Sequence, residues 1–179
     1  MQIKHRNELF KVIDMNLPCA EIGVAEGNFS RDMLEWGIVK LYMVDNWQTI
    51  PGQKGDGGHE QKWHDANYLS ALLKVKPFGD KAVVLKGLSE NMAKKVADNS
   101  LGLVYIDAAH DYTNVLNDLR TWSKKVVKGG IIAGHDYLNE VYGVHKAVHD
   151  FVKETDSNIE IHVIPELNAH DASFYFVKP

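Results

Sequence analysis

Asp107, His110 and Asp136 are the residues of this chain best placed to do chemistry together. Asp107 closes the apolar run Val104-Tyr105-Ile106, His110 follows shortly after it, and Asp136 closes the run Ile131-Ile132-Ala133-Gly134-His135. If the two runs are neighbouring strands about 4.8 Å apart, the two carboxylates converge. Converging carboxylates repel unless neutralised, and a divalent cation is the usual remedy. Oxygen ligands at an open site favour Mg2+, Mn2+ or Ca2+ over a structural zinc. His135 offers a third ligand, although neighbours in an extended segment point to opposite sides, so only one of His135 and Asp136 is expected to reach the site. A histidine titrates near neutrality, which makes His110 the candidate general base. A plainer alternative stays open, in which Asp111 caps the next helix while Asp107 and His110 only support the loop.

A second cluster follows an earlier apolar run. Glu21-Ile22-Gly23-Val24-Ala25-Glu26-Gly27 carries a G-x-x-x-G turn leading into a helix, whose first amides can receive a carboxylate. The phosphate-binding patterns G-x-x-x-x-G-K-[ST] and G-x-G-x-x-G are missing, and Glu21 and Glu26 would repel a pyrophosphate, so a ligand carrying positive charge fits better. Asp45 lies 22 residues beyond Gly23, where an acid can accept hydrogen bonds from the ribose of a nucleoside lying across the first two strands. A solvated acid at a strand end is the plain alternative for Asp45. Trp47 either covers an adenine face or packs beneath the long segment that follows it.

These residues need a scaffold that ends several strands side by side. Short apolar runs near 18–23, 39–45, 82–86, 102–107, 130–134, 159–164 and 172–177 read as strands buried on both faces. Helical patterns lie between them, near 5–14, 28–36, 60–75, 89–97, 112–126 and 143–154. Such alternation predicts a doubly wound α/β architecture with a mostly parallel seven-stranded sheet, its last two strands pairing antiparallel at one edge. In such sheets ligands sit beyond the carboxyl ends of the strands at the switch point, where both clusters fall. The segment from Asn46 to Glu60 is long and glycine-rich, and its length suggests a functional loop, such as a lid.

With 179 residues, 45% hydrophobic and 25% charged, the chain reads as one globular domain, 1–179. No apolar run is long enough for a membrane span and the first residues lack a signal-peptide core, which predicts a cytoplasmic protein without a membrane partner. Cys19, the lone cysteine, lies in an apolar strand and reads as packing. A net charge of −4 without a basic run argues against a nucleic-acid partner. A homo-oligomer is left open. His145 and His149 stand at i and i+4, but Lys146 occupies the position where a zinc protease needs glutamate, so both read as surface residues. His59 and His64 flank the start of the helix after the long loop, and the sequence does not decide their role; His170 reads as a local polar residue of the last turn.

Together, the glycine turn in Ala20 to Ser30, the acid Asp45, Ile106-Asp107-Ala108-Ala109-His110-Asp111-Tyr112 and Gly129-Gly130-Ile131-Ile132-Ala133-Gly134-His135-Asp136-Tyr137 resemble a class I S-adenosylmethionine-dependent methyltransferase. The last two motifs are more narrowly similar to the metal-dependent macrolide-sugar O-methyltransferases. The resemblance runs from about residue 18 onward. It implies S-adenosylmethionine as donor, Mg2+ on Asp107 and Asp136, His110 as the base that deprotonates an acceptor hydroxyl, and a small hydroxylated molecule as acceptor. It places Glu21, Gly23 and Gly27 at the methionine end of the donor, Asp45 at the ribose, and Leu88 and Ser89 beside the adenine; Ser89 reads equally well as a helix N-cap. His135 stands where several relatives carry a second acid. Asp-Ala-Ala-His at the fourth strand, rather than Asn/Asp-Pro-Pro-aromatic, argues against a DNA amino-methyltransferase, and the position of Cys19 argues against a cytosine C5 enzyme. A donor-binding protein without catalysis and a metal-dependent hydrolase remain as other readings.

Overall fold

The computed structural model describes residues 3–53, 56–165 and 172–179. His170, and residues 54 and 55 of the long loop, lie outside the described residues. Seven strands among those described form one sheet: β1 (Cys19–Ile22), β2 (Leu41–Asp45), β3 (Ala82–Lys86), β4 (Leu101–Ile106), β5 (Val126–Gly134), β6 (His162–Ile164) and β7 (Ser173–Val177). The α-helices are α1 (Asn28–Glu35), α2 (Gln61–Val75), α3 (Ser89–Ala93), α4 (Tyr112–Trp122) and α5 (Val144–Thr155). Among the described residues, no helix is long and apolar enough to cross a membrane.

The strand order is β3-β2-β1-β4-β5-β7-β6. β1 pairs in parallel with both β2 and β4, so the chain winds outward to one side through β3 and then returns to wind outward to the other. The β1/β4 junction is therefore the switch point. β7 lies between β5 and β6 and runs antiparallel to both, which puts the expected antiparallel pairing at that edge, with the reversed strand one position in.

Every residue of β4 is buried, which is why it reads as a continuous apolar run instead of an alternating one. Its side chains alternate between two cores. Val104 and Ile106 join Ile22, Ile132, Leu119, Trp122, Phe151 and Phe174 on the face covered by α4 and α5. Leu103 and Tyr105 join Met43, Ile131, Phe29, Met33, Leu9 and Phe10 on the face covered by α1, α2 and the N-terminal segment.

Three expected helices are shorter than their patterns. The segment near 5–14 is a 3₁₀ turn, Arg6–Lys11, started by the His5 ring nitrogen accepting from the Asn7 amide and held down by Leu9 and Phe10. α3 stops at Ala93. α4 stops at Trp122 because Val126 must extend to pair with Leu101, which begins β5 earlier than its apolar run suggests.

Candidate active site

The backbone ladder continues one rung past the strand ends. The Gly23 amide donates to Val44 O at 2.8 Å, Asp107 to Ile22 O at 2.7 Å and His135 to Ile106 O at 3.1 Å. Gly23, Asp107 and His135 are therefore held side by side by sheet hydrogen bonds. Gly23 has φ +90°, and a Cβ there would lie 2.0 Å from Asp107 O, so the turn approaches β4 more closely than any side chain permits.

On the β4/β5 side the expected convergence is present. Asp107, His110 and Asp136 each bring a ligand atom within 4.8 Å of the others, the one such acid and histidine group among the described residues. His110 Nδ1 lies 3.3 Å from Asp136 Oδ2. His135 Nδ1 lies 3.3 Å from the same oxygen and 3.9 Å from Asp107 Oδ1. Of His135 and Asp136, Asp136 is the one that joins the three-residue group, while His135 stands beside it. Asp136 has φ +57°, a left-handed conformation that aspartate tolerates.

Charge divides the two acids. Burial raises the Asp107 carboxyl, offset only in part by His135 and His110. Burial would raise Asp136 too, but the His135 hydrogen bond and the charges of His110, His135 and Arg6 outweigh it and hold Asp136 below its ordinary range. Burial would lower His135; its Asp136 bond and both carboxylates raise it. Two carboxylates and an imidazole suit a divalent cation, and a small protein ligand set leaves positions open for an acceptor. Asp111 does cap α4, its Oδ1 accepting from the Asn114 amide at 3.1 Å, while Asp107 and His110 meet Asp136.

Two features of this side have no local sequence signal. The Tyr142 ring stacks on His110 at 4.7 Å between centroids and 19° between planes, and the Gly143 amide donates to His110 O at 2.8 Å. A Cβ at Gly143 would meet the Tyr112 amide nitrogen at 2.2 Å, so glycine is what lets this segment close on His110. From the N-terminal segment, Arg6 brings Nη1 to 3.9 Å from Asp107 Oδ2.

The β1/β2 side is organised differently. Asp45 Oδ2 accepts from the Val24 and Ala25 amides, both at 2.9 Å, and Oδ1 accepts from Trp47 at 2.8 Å. Two of its lone pairs thus hold the turn and a third the Trp47 amide, leaving little capacity for a ribose. Glu21 is buried and accepts from the Ser30 hydroxyl; burial is the main cause that pushes its carboxyl up to about 8. Gly27, at φ +80°, has no room for a Cβ because Ala71 of α2 packs against it, 2.8 Å from the built Cβ to Cα.

Two residues assigned to the donor are turned elsewhere. Trp47 is only 1% exposed, donates from Nε1 to Ala25 O and packs on Tyr68, so it has no open face for an adenine. Ser89 is not the N-cap, a place Leu88 takes. Its hydroxyl donates to Asp118 and accepts from Trp122 Nε1, which ties α3 to α4. Leu88 is exposed and remains available to a ligand. His64 is buried, whereas His145 and His149 are exposed and pack by Tyr137, whose hydroxyl lies 2.9 Å from His149 Nε2.

A family model for the methyltransferase domain matches residues 20–137. No curated protein sequence matches the chain. Among solved structures, an rRNA methylase from Streptococcus thermophilus superposes with a TM-score of 0.68 at 14% identity, over 96% of this chain and 92% of that one. SMU.1697c, a proposed methyltransferase from Streptococcus mutans solved with S-adenosylhomocysteine, gives 0.67 at 16% over 96% and 93%. The O-methyltransferase NovP gives 0.67 at 18% over 96% and 77%. At these identities the likeness is one of fold. The expectation that nucleic acid is excluded as a partner does not stand, since an rRNA methylase shares this fold across nearly the whole chain. A net charge summed over the chain does not describe the potential at one face.

Proposed function

Because the chain belongs to the methyltransferase-domain family, we propose that this class I S-adenosylmethionine-dependent methyltransferase methylates a hydroxyl of a small-molecule acceptor, with a divalent cation on Asp107 and Asp136, His135 beside it, and His110 as base. The observation that carries this reading is the meeting of Asp107, His110 and Asp136 beyond the carboxyl ends of β4 and β5, with Asp107 beside the glycine turn. When bound, S-adenosylmethionine supplies a methyl already activated by its sulfonium, and the cation makes a coordinated hydroxyl more acidic.

The chain's own residues supply position and proton transfer. The turn from Gly23 to Gly27, fixed by Asp45, receives the donor, and Leu88 borders its base. With Nδ1 of His110 against Asp136, Nε2 is the nitrogen that takes the acceptor proton. Asp136, held ionised by its neighbours, stabilises the imidazolium that forms. Tyr142 fixes the plane of the ring.

A second reading, methylation of a nucleic acid, is favoured by the fold shared with an rRNA methylase. Both are tested by incubating the protein with methyl-labelled donor and either hydroxylated small molecules or a ribosomal RNA transcript, with Mg2+ or with EDTA. The expected result is label in a small molecule, lost with EDTA, and slowed roughly 100-fold or more by His110→Ala. Label entering RNA alone, at a rate indifferent to EDTA and to His110→Ala, would contradict the proposal.

A further inference from the structure

Arg6 opens the 3₁₀ turn Arg6–Lys11, outside the stretch 20–137 that matches the family. Its guanidinium carbon lies 4.7 Å from the centroid of the Phe29 ring, in the first turn of α1 just beyond Gly27. Its Nη1 lies 3.9 Å from Asp107 Oδ2, an ion-pair separation longer than a hydrogen bond. Asp107 is in turn the residue whose backbone packs on Gly23. Arg6 thus reaches the corner between the start of α1 and the end of β4, beside the glycine turn to which the proposed function assigns the donor.

The amino-acid end of the donor carries an ammonium and a carboxylate close to the sulfonium. The acids at and near this corner, Glu26, Asp45, Asp107 and Asp136, suit its positive groups and oppose its carboxylate. Lys74 also stands near the turn, but beside Asn28 Oδ1 at 2.6 Å and Glu26 at 3.7 Å, whereas Arg6 stands beside Asp107 and Tyr105. An arginine fork matches a carboxylate in two parallel hydrogen bonds, and stacking on Phe29 holds its plane.

We propose that Arg6 receives the α-carboxylate of the donor and so selects a carboxylated donor over its decarboxylated counterpart. The inference rests on the donor reading above and extends it to a residue beyond the family motif.

The test is calorimetric titration of wild type, Arg6→Gln and Arg6→Lys with S-adenosylhomocysteine and with its decarboxylated analogue, which lacks only that carboxylate. Wild type is expected to favour S-adenosylhomocysteine by roughly 10- to 100-fold, the scale of a charged hydrogen-bonded pair. Arg6→Gln should lose that preference by weakening S-adenosylhomocysteine alone, and Arg6→Lys should recover part of it. Unchanged binding of the analogue by Arg6→Gln reports that the site is still folded. Equal weakening of both ligands, or no weakening of either, would overturn the role of Arg6. A wild-type protein that binds neither ligand would overturn the donor reading itself.

Discussion

The carboxyl ends of β1 and β2 and those of β4 and β5 both bear acids at the same topological level, yet the fold uses them in opposite ways. At β1/β2 the side chains face inward: Asp45 is bonded to three backbone amides, Glu21 is buried against Ser30, and Trp47 is sealed beneath the turn. What is left for a ligand there is mostly backbone shape. At β4/β5 the backbone is satisfied by the sheet ladder, and Asp107, His110, His135 and Asp136 turn toward one another at partly exposed positions. The lesson is that one side spends its acids on the fold, whereas the other leaves them facing one another, which is the arrangement on which the proposed function rests. Changes on the first should cost folding and donor affinity together, and changes on the second should cost turnover with little loss of stability.

Gly23→Ala should break the β1/β2 side most severely. The left-handed φ and the 2.0 Å approach to Asp107 O leave no place for a methyl group, so about 3 kcal/mol or more of stability should be lost. Chemical denaturation against wild type measures it; a stable variant with normal donor affinity would show that β1 and β4 are not held together as described.

A smaller effect sharpens the same contrast through pH. Folded Glu21 keeps its proton up to about pH 8, whereas its ordinary value is 4.5. Between those values the folded state holds more protons than the unfolded state, so this residue's contribution to stability falls as pH rises and is fully lost above about 8. Glu21→Gln should flatten that part of the stability profile, measured by denaturation across the window. An identical slope in the variant would mean that Glu21 is not buried as a neutral acid.

Most of the sheet was legible because its strands are buried on both faces and leave continuous apolar runs, and the ladder then dictates which residues emerge together. Asp107, His110 and Asp136 could be found this way, each lying at or just after a strand end. The positions that sequence misplaces are those decided by tertiary packing. Nothing local marks Trp47 as core or Ser89 as the partner of Asp118, because both depend on helices distant in sequence. Arg6 and Tyr142 reach the site from segments without a motif of their own.

The most direct test of the two-sided account is one titration series, S-adenosylhomocysteine and then Mg2+ or Mn2+, into wild type and into the Asp107→Asn/Asp136→Asn double variant. The account predicts that the variant keeps donor affinity within a few-fold of wild type while losing divalent-cation binding. Loss of donor binding along with the cation would contradict it, because the β1/β2 side and the acid pair would then be one site.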